Sequence, residues 1–167
     1  VKVKEGEPTQ SVGNQKEIKE LFPNTYGMPL IEFVPGDKEA TNEMNVGIIL
    51  SGGQAPGGHN VICGIYDAVK KMNKNNKVYG FLMGPGGLVD HNYVELTEDF
   101  VDQYRNTGGF DMIGSGRTKL EKVDQFEKGL EIIRELNIKA VVIIGGDDSN
   151  TNACVLAEYY AAKNYGV

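Results

Sequence analysis

Two adjacent aspartates, Asp147 and Asp148, follow the glycine pair Gly145-Gly146 at the end of the most apolar run of the chain. Neighbouring carboxylates repel unless a cation or hydrogen-bond donors stabilise both. A hard cation such as Mg2+ takes oxygen ligands, commonly one or two carboxylates with phosphate oxygens and water. Helix capping by Asp148 or Ser149 would account for one acid but not for both, which favours a metal. A second loop, Ser51-Gly52-Gly53-Gln54-Ala55-Pro56-Gly57-Gly58-His59-Asn60, leaves another apolar run. Its glycines let a backbone approach an anion, and a helix starting there would offer N–H donors and a partial positive charge. It lacks the Gly-Lys-Ser/Thr of a P-loop and the spacing of G-x-G-x-x-G, and reads equally as a structural turn or an anion cradle. The third loop, Gly114-Ser115-Gly116-Arg117-Thr118-Lys119, carries two cations among small residues. They could neutralise charge on a phosphoryl group, or form ordinary exposed surface.

These loops need elements to hold them. Asn45 to Leu50 and Lys139 to Gly145 are continuous apolar runs that read as strands buried on both faces, the second being the clearer. Lys77 to Leu82 is a further strand. His59 to Asn73 predicts a helix with Val61, Ile62, Ile65, Val69 and Met72 inward. Thr97 caps a short helix to about Arg105, Asp124 with Glu127 suggests a capping box for a helix lined by Phe126, Leu130, Ile133 and Leu136, and Ser149 to Asn164 is the last helix, stopped by Gly166. Strand and helix alternate, which predicts an α/β fold: three layers around an open, mainly parallel, Rossmann-like sheet. Residues 45–167 are expected to form this unit. Residues 1–44, with Pro23, Pro29 and Pro35, read as an irregular arm with a short helix near Asn14 to Leu21, lying over the domain or a partner subunit. Val167 falls where a next strand would begin, so the sequence reads as a fragment.

Of the 22 glycines, 18 lie between Val46 and Val167, where they follow apolar runs. The net charge of -6 and the lack of a Lys/Arg-rich block argue against general nucleic-acid binding. The longest apolar run is too short for a bilayer. Cys63 and Cys154 form neither a disulfide framework nor a zinc cluster, which suggests a reducing, cytoplasmic setting. His59 and His91 have no partners at metal-ligand spacing and read as structural.

Taken together and in this order, the three loops resemble the phosphofructokinase superfamily. The strings S-G-G-Q-A-P-G-G-H-N, Y-V-E-L-T, G-G-F-D-M-I and G-G-D-D-S-N-T-N-A are similar to its long, plant-like branch, which uses inorganic pyrophosphate. The resemblance covers Asn45 to Val167. It implies that Gly52, Gly53, Arg117, Lys119 and Ser149 bind diphosphate, with Arg117 also acting in catalysis, and that Asp147 holds Mg2+. Asp148 stands where ATP-using relatives read G-G-D-G-S, which implies selection against ATP. The implied reaction is reversible, Mg2+-dependent phosphoryl transfer from diphosphate to fructose 6-phosphate. The family's catalytic base belongs to a Thr-Ile-Asp segment, and no such string occurs up to Val167, so this stretch alone is expected to be inactive. A homo-oligomer, dimer or tetramer, is implied by resemblance only. A non-catalytic regulatory subunit of the same fold, an ATP-dependent 6-phosphofructokinase and an unrelated nucleotide-binding module are the alternatives.

Overall fold

The computed structural model describes residues 1–37 and 41–167. At its centre is β3 (Asn45–Leu50), whose Ile48, Ile49 and Leu50 are fully buried. β3 pairs in parallel with β4 (Val78–Phe81) on one side and with β6 (Ile138–Ile144) on the other. The short β5 (Tyr93–Glu95) adds to β4 antiparallel, giving the order β5-β4-β3-β6. The sheet is therefore mixed at one edge. Parallel pairing holds wherever a helix returns the chain, and β5 escapes it because it follows β4 after only a tight turn of helix, α3 (Pro85–Val89).

Helices cover both faces. On one, α2 (Gly58–Met72) packs against Val46, Ile48 and Leu50 of β3, with Phe110, Met112 and Ile113 closing the layer. On the other, α5 (Val123–Glu135) and α6 (Asp147–Ala162) enclose Ile49 and Phe81. The alternation of β3 side chains between these two cores is the period-2 pleat of a strand buried on both faces. α4 (Glu98–Asp102) is capped by Thr97, whose hydroxyl accepts from the Phe100 N–H at 3.4 Å.

Several local expectations are corrected. Val61 is 45% exposed, because His59, Cys63 and Tyr66 share the buried arc of α2 with Ile62 and Val69 and turn Val61 outward. α5 begins one residue before Asp124. There, Gln125 Oε1 accepts from the backbone N–H groups of Glu121 (3.0 Å) and Lys122 (3.1 Å), so the acid pair is not the cap. α6 begins at Asp147 rather than Ser149, and Asn164, not Gly166, is the first left-handed residue after it, at φ 55°. Along β6, Ala140 to Ile144 are only half-buried: it is the sheet's edge among the described residues, not its most buried strand.

The arm is more regular than its prolines suggest. β1 (Lys2–Pro8) and β2 (Pro29–Val34) form an antiparallel ribbon that flanks α1 (Gln15–Leu21), with Lys4 and Glu32 paired across it at 3.0 Å. Its tie to α6 is a carboxylate. Glu158 accepts from the Asn24 N–H and side-chain amide and from the Thr25 N–H and hydroxyl. Partial desolvation pushes the Glu158 carboxyl up, but these donors outweigh it and hold the pKa below the ordinary 4.5. An acid depressed by folding stabilises fully above its unfolded value and loses that contribution as pH falls through the lower folded value. Acidification below pH 4.5 is therefore expected to release residues 24 and 25 from α6 before the sheet opens. Amide exchange at Asn24 and Thr25, followed down a pH series and corrected for intrinsic rates, reads this directly; protection that persists to the global acid transition would refute it. Among the described residues, no helix is long and apolar enough to cross a membrane.

Candidate functional site

The chain runs from β3 to β4 on one side and later to β6 on the other, so the loops leaving β3 and β6 diverge. A crevice opens at their carboxyl ends, the usual ligand position in an open α/β sheet. Here it is a cavity of about 950 Å³. All seven residues singled out from the sequence line it: Gly52, Gly53, Arg117, Lys119, Asp147, Asp148 and Ser149. Val61, turned outward from the core, and Phe110 provide an apolar wall.

The floor is built by close backbone approach. Gly52 has φ +96°, a conformation L side chains rarely adopt, and its N–H donates to Gly116 O at 2.8 Å. This bond joins the first loop to the third. A Cβ at Gly53 would stand 3.0 Å from Arg117 Nη2, so the missing side chain is what lets the guanidinium lie over the loop. The Ser149 hydroxyl donates to Ser51 Oγ at 2.8 Å, joining the first loop to α6. Gly145 permits this contact, since a Cβ there would meet Ser149 Oγ at 2.5 Å and Ser51 O at 2.6 Å. Asn152 closes the triangle: its Oδ1 accepts from Leu120 N at 3.0 Å and its amide donates to Leu120 O at 2.5 Å, fixing the third loop to α6.

The start of α2 is less open to an anion than its glycines suggest. Gly57 N–H donates to Gly108 O (2.7 Å) and His59 N–H to Gly109 O (2.9 Å), so two first-turn donors are already spent. At α6 the cap is Gly146, which has no side chain to accept from the first-turn N–H groups. Neither Asp148 nor Ser149 is a cap, which removes capping as the explanation for the acid pair. Both carboxylates are exposed in the first turn of α6, and Arg117 and Lys119, which line the same cavity, make no ion pair among the described residues. The result is a polar crevice lined by two cations and two acids. Among the described residues no group of three or more His, Cys, Asp or Glu side chains is arranged to hold a metal. One or two carboxylates suit Mg2+ shared with phosphate oxygens and water, rather than an all-protein cage.

Residues 45–167 match the phosphofructokinase family. The chain belongs to that family. It is 62% identical over 168 residues to a pyrophosphate–fructose 6-phosphate 1-phosphotransferase of Porphyromonas gingivalis, covering 100% of this chain and 31% of the relative. It is 48% identical to the beta 2 subunit of the enzyme of the same name from Arabidopsis thaliana, covering 98% and 29%. Among solved structures it is similar to the T-state phosphofructokinase of Pichia pastoris, with TM-score 0.61, 27% identity and coverage of 77% and 13%. The chain thus spans less than a third of the length of these relatives.

Other residues of the crevice were not visible as site residues in the sequence. Ser51 acts through one hydrogen bond and Asn152 through two, to partners 98 and 32 positions away, and spacing along the chain carries no signal for such pairs. His91 bonds Lys128 O at 2.9 Å, away from the crevice.

Proposed function

We propose that residues 45–167 form the phosphoryl-donor half of a pyrophosphate-dependent 6-phosphofructokinase, with residues 1–44 an arm fastened to α6, and that the crevice binds diphosphate. The observation that carries this reading is the meeting of Gly52, Gly53, Arg117 and the Asp147-Asp148 pair around one cavity. Gly52 and Gly53 bring main chain against the donor, and Arg117 and Lys119 neutralise its oxygens as charge spreads over them. The Ser149 hydroxyl faces the same cavity from the first turn of α6. Asp147 holds Mg2+, which when bound supplies charge neutralisation of the phosphate oxygens. Asp148 occupies the space into which a longer nucleotide would extend, and its carboxylate repels a third phosphate. The acceptor is fructose 6-phosphate, in keeping with the names of the relatives; the full-length enzyme works in the cytoplasm as a homo-oligomer.

Calorimetric titration of the full-length enzyme separates the donors. Mg-pyrophosphate is expected to bind at micromolar to submillimolar concentration, the usual range for a substrate, and Mg-ATP at least about tenfold more weakly. Preference for ATP would overturn the donor assignment, and failure to bind either would favour a non-catalytic subunit.

A further inference from the structure

The segment that leads into the third loop, residues 108–112, is tied to α2 by backbone bonds and by one imidazole. His59, the second residue of α2, is 3% exposed and directly follows Gly58, which lines the cavity. Its Nδ1 lies 2.7 Å from Thr107 Oγ1. That hydroxyl gives its own proton to Tyr104 O at 2.6 Å, so it receives one from the ring, and Nδ1 carries the hydrogen. Nε2 is then a bare acceptor, and two consecutive backbone donors converge on it: Asp111 N–H at 3.0 Å and Met112 N–H at 2.9 Å. The Asp111 carboxylate also lies 2.9 Å from Nε2, but it is 75% exposed and can turn to water, whereas the Met112 amide cannot.

Packing at this seam leaves no slack. A Cβ at Gly109 would meet His59 Cε1 at 2.6 Å, and one at Gly58 would meet Phe110 Cε2 at 2.8 Å, so helix and loop interlock glycine against ring in both directions. From Met112 the connection to the cavity is short. Ile113 O receives the Met83 N–H, Gly116 O receives the Gly52 N–H, and Arg117 follows, with its guanidinium over Gly53.

We propose that His59 is a positioning residue of the donor site: a neutral imidazole that pins the Asp111–Met112 turn to the start of α2 and thereby sets Arg117 over the glycine cradle. The claim rests on the diphosphate reading given above. A leucine at this position would preserve bulk but leave two buried N–H groups without their acceptor, whereas a glutamine can place its Oε1 near the position of Nε2.

The experiment uses the full-length enzyme. His59→Leu is expected to raise the Kd for Mg-pyrophosphate about tenfold, to leave the KM for fructose 6-phosphate within about twofold, and to speed amide exchange across residues 111–118. His59→Gln is expected to return the Kd to within about threefold of wild type and to restore protection. Should His59→Leu fail to fold, His59→Asn, which keeps a donor toward Thr107 and drops the acceptor, takes its place. A folded variant without the acceptor but with wild-type Kd overturns the proposal, as does a His59→Gln enzyme no better than it. If the wild-type enzyme itself takes up no Mg-pyrophosphate, the donor reading falls, and exchange decides the pinning alone: unchanged protection at residues 111–118 in His59→Leu refutes it.

Discussion

Replacing Asp148 with glycine in the full-length enzyme is expected to raise kcat/KM with ATP by between about five and a thousandfold while pyrophosphate remains a donor. The range follows from where the carboxylate stands. Asp148 lies in the first turn of α6 and lines the cavity together with Gly53 and Arg117. Like charges ~4 Å apart cost about 1 kcal/mol in bulk water and about 4 kcal/mol at an effective dielectric of 20. Asp148 is exposed in this chain, so the lower figure is the floor, and exclusion of water on binding the donor would move the cost toward the upper one. Pyrophosphate ends where the conflict begins, so relief of repulsion is specific to the longer donor. Steady-state kinetics with each donor at saturating fructose 6-phosphate give the ratio. An Asp148→Gly enzyme that gains nothing with ATP would show that the carboxylate is not what excludes the nucleotide.

The parts legible in advance were those written in contiguous residues. The apolar run from Asn45 to Leu50 makes a buried strand whatever its neighbours are, and the glycines after it mark a turn into a helix. The still more apolar run from Ala140 to Ile144, which reads as the clearer buried strand, is only half-buried, because continuity reports a capacity for burial and not how many strands lie on each side. In the arm, β1 and β2 pair residues as far apart as Lys2 and Val34; β1 is mostly charged, and Leu30, Ile31 and Phe33 of β2 stay exposed, so no buried face marks either run as a strand. The same division runs through the site. Gly52, Gly53, Arg117 and both aspartates sit in loops with unusual composition. Ser51, His59 and Asn152, which hold those loops together, look ordinary because each acts on a partner 98, 52 or 32 positions away. Composition finds residues that meet a ligand, whereas those that aim them are found only in three dimensions.

Glycines under the third loop make the other large expected effect. Gly116 crosses Gly84 so closely that a Cβ at Gly84 would stand 2.7 Å from Gly116 Cα, and one at Gly116 would meet Met83 C at 3.0 Å and overlap Met83 O. Gly84 also has φ +85°, so neither position tolerates a side chain. These are main-chain atoms, with no flexible end to swing aside, and relief requires parting the β4–α3 turn from the third loop. Gly116→Ala is therefore expected to destabilise the protein by at least about 3 kcal/mol, the upper part of the overpacking range. Because Gly116 O accepts the Gly52 N–H and Arg117 is the next residue, the same change should weaken diphosphate binding together with stability. Gly64→Ala is the contrast. Gly64 lies inside α2 with nothing within 4 Å of its added Cβ, so an identical methyl group should stabilise by about 1 kcal/mol through helix propensity. Thermal denaturation of the two variants should move in opposite directions from wild type. A Gly116→Ala protein that melts with wild type would mean that the crossing of these two loops is not as close as the structure has it, and with it the placement of Arg117.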